Sequence, residues 1–259
     1  MDRRSHAAGA LAILAGLGAA CGPRPAERTP PPSTVQAKAN APAATSPARI
    51  LTEKPLYSQS NEELVIRNFF KDRRNGFFLD VGCASPIANS NTYYLEHHLG
   101  WTGIGVDALG EYAPAWKEKR PGSRFFAFLV SDHADTVDTF YRSELRGISS
   151  VEKRNIAPGG DAVKWEEMKV PTTTLNKLLD ANKVSRIDFL NMDIEGHEPA
   201  ALAGFDIERF KPELVCIEAK PQNRETIVRY FKDHGYRRLK RYIPYDEVNY
   251  YFAPGAETP

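Results

Sequence analysis

The sequence predicts an α/β domain: a mostly parallel, seven-stranded sheet with helices on both faces and an antiparallel strand pair at its C-terminal end. Three observations predict it. Five short apolar runs recur along the chain, segments of helical spacing lie between them, and the chain ends on two strand-like segments. With 259 residues, 42% hydrophobic, the chain can bury one sizeable core once an atypical N-terminus is set aside. Its 34 basic and 33 acidic residues give a net charge of +1, so no general attraction to nucleic acid or anionic membrane follows.

Residues 1–21 read as an export signal. Arg3 and Arg4 precede the small-residue apolar run "HAAGALAILAGLGAAC", too short to span a bilayer comfortably. Its end at Cys21 resembles a bacterial lipoprotein cleavage site, although Gly18 stands where that pattern prefers a large aliphatic residue. A lipid anchor at Cys21 and a cell-envelope location are expected. An ordinary signal peptide, an uncleaved anchor or a misassigned start would also fit. Residues 22–55 are rich in Pro, Ala, Ser and Thr, cannot bury enough surface to offset their ordering entropy, and should form a disordered tether.

The folded domain is expected over 56–259. "NEELVIRNFFKD" (61–72) has helical spacing, and "GFFLDVG" is a buried strand. "SNTYYLEHHLG" reads as a helix capped by Ser90 or Asn91 and ended by Gly100, with His97 and His98 on its surface. "WTGIGVDA" is the second strand, "EYAPAWKEKRP" a Pro-interrupted helix and "SRFFAFLVSD" the third strand. Residues 133–170 look irregular. Their length suggests a lid or acceptor-binding region in which Ser149, Lys153 and Arg154 could meet a polar substrate, or an ordinary solvated surface. "TTLNKLLDANKV" is helical, "IDFLNMDIEG" the fourth strand, "EPAALAGFDIERFK" a helix, "PELVCIEA" the fifth strand and "NRETIVRYFKDHGY" a helix. "RRLKRYIPYDEVNYYFAP" supplies the final pair. Cys83 and Cys216 fall at the first and fifth strands, about 9.6 Å apart if one strand lies between them, so both should be free thiols.

In such sheets ligands bind outside the carboxyl ends of the strands. The polar residues there are Asp80, Asp107, Asp132, Asp193 with Glu195, and Glu218. A dinucleotide needs a glycine-rich loop whose amides reach its phosphates. Here Gly82 is followed by Ala84 and Pro86, which suits a cofactor that carries no phosphate. Strand-end carboxylates and one glycine fit S-adenosylmethionine, whose ammonium and ribose need acceptors.

"FLDVGCASPIANSNTYYLE", "GWTGIGVDA", "TTTLNKLL" and above all "IDFLNMDIEGHEPAALAGFD" resemble the FkbM family of S-adenosylmethionine-dependent methyltransferases, in order, over roughly residues 61–219. The resemblance implies a Rossmann-like class I methyltransferase fold, S-adenosyl-L-methionine as cofactor and a small-molecule or glycan hydroxyl as acceptor. It places Asp80 near the methionine end, Gly82 at the close backbone approach, Asp107 at the ribose, and Ser131 and Asp132 near the adenine. Asp193, Glu195 and His197, with Glu198, would sit beside the transferred methyl. The base for the acceptor proton is one of Asp193, Glu195 and His197.

Other readings stay open at each position. Asp80 could cap a turn, Asp132 could be a surface acid, His197 a capping residue, and Glu198 simply favoured by the helix N-terminus. No metal site is assigned, although neighbouring carboxylates could bind a divalent ion that orients a diol. The cofactor is cytosolic while the N-terminus points outward. Either the signal is misread and the enzyme is cytoplasmic, or the domain has become an inactive, envelope-tethered binding module. A hydrolase is disfavoured, because no G-x-S-x-G elbow occurs.

Overall fold

The computed structural model describes residues 55–143, 149–151 and 164–255. The signal, the tether, Cys21, Lys153 and Arg154 lie outside the described residues. Among the described residues no helix is long and apolar enough to cross a membrane.

Helix α1 (Glu62–Phe70) precedes strand β1 (Phe77–Val81), followed by α2 (Tyr93–Leu99), β2 (Thr102–Asp107), α3 (Ala113–Lys119) and β3 (Ser123–Ala127). After an outlying segment come α4 (Leu175–Ala181), β7 (Phe189–Met192), α5 (Glu198–Ala203), α6 (Ile207–Phe210), β8 (Leu214–Glu218), α7 (Arg224–Asp233), β9 (Tyr236–Arg238) and β10 (Asn249–Pro254). The main sheet has the order β3-β2-β1-β7-β8-β10-β9, parallel except for β10, which is antiparallel to both its neighbours. That order, with β1 central and an antiparallel C-terminal pair, is the class I methyltransferase arrangement. The sheet reverses between β1 and β7, so the polar ends of those strands and of β2 converge on one rim.

Burial explains why the central strands read as unbroken apolar runs. β7 and β8 are buried at every residue because helices cover both faces. Phe78 joins a core with α1 and α2, whereas its neighbours Leu79 and Val81 face α4 to α7. Two glycines of β2 serve this packing. A Cβ on Gly103 would lie 2.4 Å from the Phe78 ring, and one on Gly105 would lie 2.7 Å from the Trp116 indole. Cys83 and Cys216 are free, and burial pushes both thiols well above their usual range.

The structure corrects the reading of 133–170 as irregular. β5 (Val137–Ser143) and β6 (Trp165–Thr173) form an antiparallel pair, and β6 also pairs in parallel with β4 (Leu129–Val130), giving a second sheet of order β4-β6-β5. The third predicted strand is therefore two, broken at Phe128, whose amide donates to Asp107 O. The helix expected over 198–211 is likewise split into α5 and α6 around Gly204, where a Cβ would come within 2.4 Å of Ser131 O.

Candidate active site

The turn after β1 is held by its own backbone. Gly82 and Cys83 amides donate to Val106 O (2.8 and 3.3 Å), and the Ala84 amide donates to Asp107 Oδ2 (3.0 Å). Three successive amides that a phosphate loop would aim at a ligand are thus engaged within the protein. Gly82 has φ +80, and a Cβ there would fall 1.8 Å from Asp193 O. Glycine is required at this point because the turn packs directly on the backbone beyond β7.

Asp107 joins two loops: its other oxygen, Oδ1, accepts from the Leu109 amide (2.8 Å). Burial raises its pKa to about 6, with Asp80 and Glu111 adding repulsion and the two amides opposing. Beyond β7 the chain makes a tight turn with Glu195 at φ +59 and Gly196 at φ +100. Fully buried Glu198 organises that turn, Oε1 accepting from the Ile194 and Gly196 amides (both 3.1 Å). Asn223 Nδ2 donates to Gly196 O (2.8 Å).

These turns enclose a cavity of about 280 Å³ at the carboxyl ends of β1, β2 and β7. One wall is apolar, formed by Leu109, Phe128, Leu129, Val130 and Phe140. Asp193, Glu195 and His197 also line the cavity. Asp193 faces the cavity, and although solvent reaches it, the surrounding protein mass and the Glu195 and Glu198 charges lift its pKa to about 7 against the pull of Lys220. Behind it Glu218 is raised to about 9 by burial and then by Asp193 and Glu195. Lys220 ion-pairs with Glu195, and its Nζ lies 3.5 Å from Glu218 Oε2. His197 Nε2 lies 3.2 Å from the Ser131 hydroxyl, and Ser150 Oγ donates to Glu195 O (3.0 Å).

A sequence profile of the Methyltransferase FkbM domain matches residues 80–238, more than half of the chain. The chain belongs to the FkbM methyltransferase family. No curated protein matches the sequence. Three solved structures resemble this FkbM chain in fold. The precorrin-6y C5,15-methyltransferase of Geobacter metallireducens is 10% identical, with TM-score 0.43 and coverage of 75% of this chain and 87% of that one. A TehB-like SAM-dependent methyltransferase of Corynebacterium glutamicum is 12% identical, with TM-score 0.42 and coverage of 76% and 89%. The 1,6-didemethyltoxoflavin-N1-methyltransferase of Burkholderia thailandensis, solved with S-adenosylhomocysteine, is 12% identical, with TM-score 0.34 and 74% of each chain covered.

Of the residues singled out in the FkbM sequence, Gly82, Asp107, Asp193, Glu195 and His197 line one cavity, as does Ser149. Asp80, Ser131 and Asp132 do not. Asp80 is buried, accepting from Thr92 Oγ1 (2.6 Å) and Asn191 Nδ2 (2.8 Å), and burial raises its pKa. Ser131 is buried behind His197 and reaches the cavity only through that ring. Asp132 is exposed and pairs with His133 (2.6 Å), which holds its carboxyl below the usual range. Lys220 and Asn223 were not foreseen. The only signal for Lys220 was its place just after a strand end, where neighbouring acids require a counter-charge. Asn223 carried none.

Proposed function

We propose that the chain is an S-adenosylmethionine-dependent methyltransferase that methylates a hydroxyl of a sugar, glycan or other small polar acceptor. One observation carries this reading: a cavity with an apolar wall, a strand-end carboxylate at Asp107 and an acidic inner end, beside a turn whose amides are already occupied. The residues fit a phosphate-free nucleoside. Asp107 retains lone pairs for ribose hydroxyls, the apolar wall suits an adenine, and Gly82 keeps the turn close. Asp80 acts one step back, tying β1 to the start of α2 and to β7.

When bound, S-adenosylmethionine supplies an already activated methyl, so the protein's task is to orient the acceptor and take its proton. Glu195 is committed to Lys220. His197 faces the cavity with Ser131 against Nε2, and we assign it as the proton acceptor. Calorimetric titration of the full chain with S-adenosylmethionine and S-adenosylhomocysteine should give saturable heat for both. His197→Gln should keep that binding and lose methyl transfer by roughly 10²-fold or more. Silence in the titration would overturn the reading, and binding without transfer to any hydroxyl acceptor would favour a binding module. No nucleic-acid partner is proposed. The proposed location is the cell envelope, through lipid at Cys21, and recovery of the full chain from detergent-extracted membranes would support it.

A further inference from the structure

We infer that Asp193, Glu198 and Glu218 hold a hard divalent cation at the inner end of the cavity. One carboxylate oxygen from each of the three lies within 4.8 Å of the others. Oxygen ligands at about 2.3–2.6 Å from one ion stand at most roughly 5 Å apart, so a single ion can reach all three with little movement. The set contains only carboxylate oxygen, the donor of Mg²⁺, Mn²⁺ and Ca²⁺ rather than of zinc or copper.

Glu218 supplies the independent sign of a ligand. It is only 9% exposed, and its Oε2 is buried with no hydrogen-bond partner among the described residues. Lys220 stands 3.5 Å from that oxygen, an ion-pair distance without a hydrogen bond, and donates to Glu195. Native proteins satisfy nearly all buried polar atoms, and a buried oxygen left without a hydrogen bond on one of three clustered carboxylates is an arrangement that a cation completes. Glu198 fits the same role. Its Oε1 is fixed by two amides, and among the described residues Oε2 has a long contact, 3.5 Å from Asn223. Asp193 faces the cavity. Among the described residues, the ion pairs seen for these four carboxylates, counting Glu195, all go to Lys220.

Binding of the ion stands apart from the proposed function, but its use rests on it. An ion on Asp193 would meet the acceptor hydroxyl where it enters, orient it and make it more acidic, leaving His197 to receive the proton. Glu195 is not a ligand, since Lys220 occupies it.

The test is titration of the metal-stripped full chain with Mn²⁺, read by the loss of its free-ion paramagnetic resonance signal, with S-adenosylhomocysteine binding measured on the same samples. One site of micromolar to submillimolar affinity, displaced by Ca²⁺ or Mg²⁺, is expected. Glu218→Gln should weaken it about tenfold or more and leave S-adenosylhomocysteine binding within about twofold, because Glu218 lies outside the cavity lining. Asp193→Asn provides a second variant should the first not fold. Wild-type protein that takes up no Mn²⁺ at millimolar concentration, or a Glu218→Gln chain that binds it unchanged, overturns the inference. Nucleoside binding without Mn²⁺ defeats only the ion, and Mn²⁺ binding without the nucleoside defeats only the methyltransferase reading.

Discussion

Two polar clusters flank β1, one buried and one open to the cavity at Asp193, and they are built on opposite plans. On the α2 side, Arg120 has a fully buried side chain and makes a 2.6 Å ion pair with Glu96 while donating to Pro86 O and Thr92 Oγ1. Thr92 in turn donates to Asp80, which also accepts from Asn191. Both oxygens of the Asp80 carboxylate thus find a donor. On the β8 side, Asp193, Glu195, Glu198 and Glu218 share Lys220, and one Glu218 oxygen has no donor among the described residues. A satisfied network makes its region rigid, whereas an unbalanced one at a cavity wall is the arrangement expected of groups that meet a ligand. The first cluster is scaffold for the turn that carries Gly82. The second is where chemistry can take place.

If that division is right, removing charge from the scaffold should be the most damaging change. Arg120→Met leaves the Glu96 carboxylate, still held by the Gly122 amide and the Ser123 hydroxyl, without its counter-charge and should lower unfolding free energy by about 3–5 kcal/mol, measured by urea denaturation. A loss under about 1 kcal/mol would mean that the network is no scaffold. Thr92→Val keeps the shape and removes one donor to Asp80 and one acceptor for Arg120. A loss of about 1–3 kcal/mol in the same assay is expected. Thr92 does not line the cavity, so the folded variant should bind S-adenosylhomocysteine with nearly wild-type affinity.

The fold was largely legible in the sequence because its central strands are covered on both faces, so β1, β7 and β8 had to be continuous apolar runs. The β5 and β6 strands were not legible for the converse reason. Their residues are half exposed and include Asp138, Arg142, Glu166 and Glu167, so they carry no apolar run. That Gly82, Asp107, Asp193, Glu195 and His197 would border one cavity was legible because strand ends dictate the rim. The buried anchoring role of Asp80 was not legible, since its partners Thr92 and Asn191 lie 12 and 111 residues away. Asp132 shows the limit of the strand-end rule. It ends a predicted strand, yet the chain turns at Ser131 and sends the side chain outward to His133.

The gentlest test of the comparison uses Asp107, which belongs to neither cluster. Its carboxyl keeps a proton up to about pH 6 in the folded chain, against an ordinary value of 3.8, because burial outweighs the Leu109 and Ala84 amides, with Asp80 and Glu111 pushing the same way. Two opposite pH dependences follow. The Asp107 contribution to stability, read as the difference between the wild type and Asp107→Asn, should fall as pH rises from 3.8 to about 6 and then level off, since the folded state binds the extra proton in that window. Asp193 and Glu218 extend the decline of the whole chain to higher pH. S-adenosylhomocysteine affinity should rise over the upper part of the same window, by at most about tenfold per pH unit, as the carboxylate becomes a full acceptor for the ribose hydroxyls. Asp107→Asn should abolish the rise in affinity and remove the part of the stability decline that Asp107 contributes between pH 3.8 and about 6. An affinity profile that stays flat in the wild type would remove Asp107 from the cofactor, and one that persists in the variant would move the titrating group elsewhere.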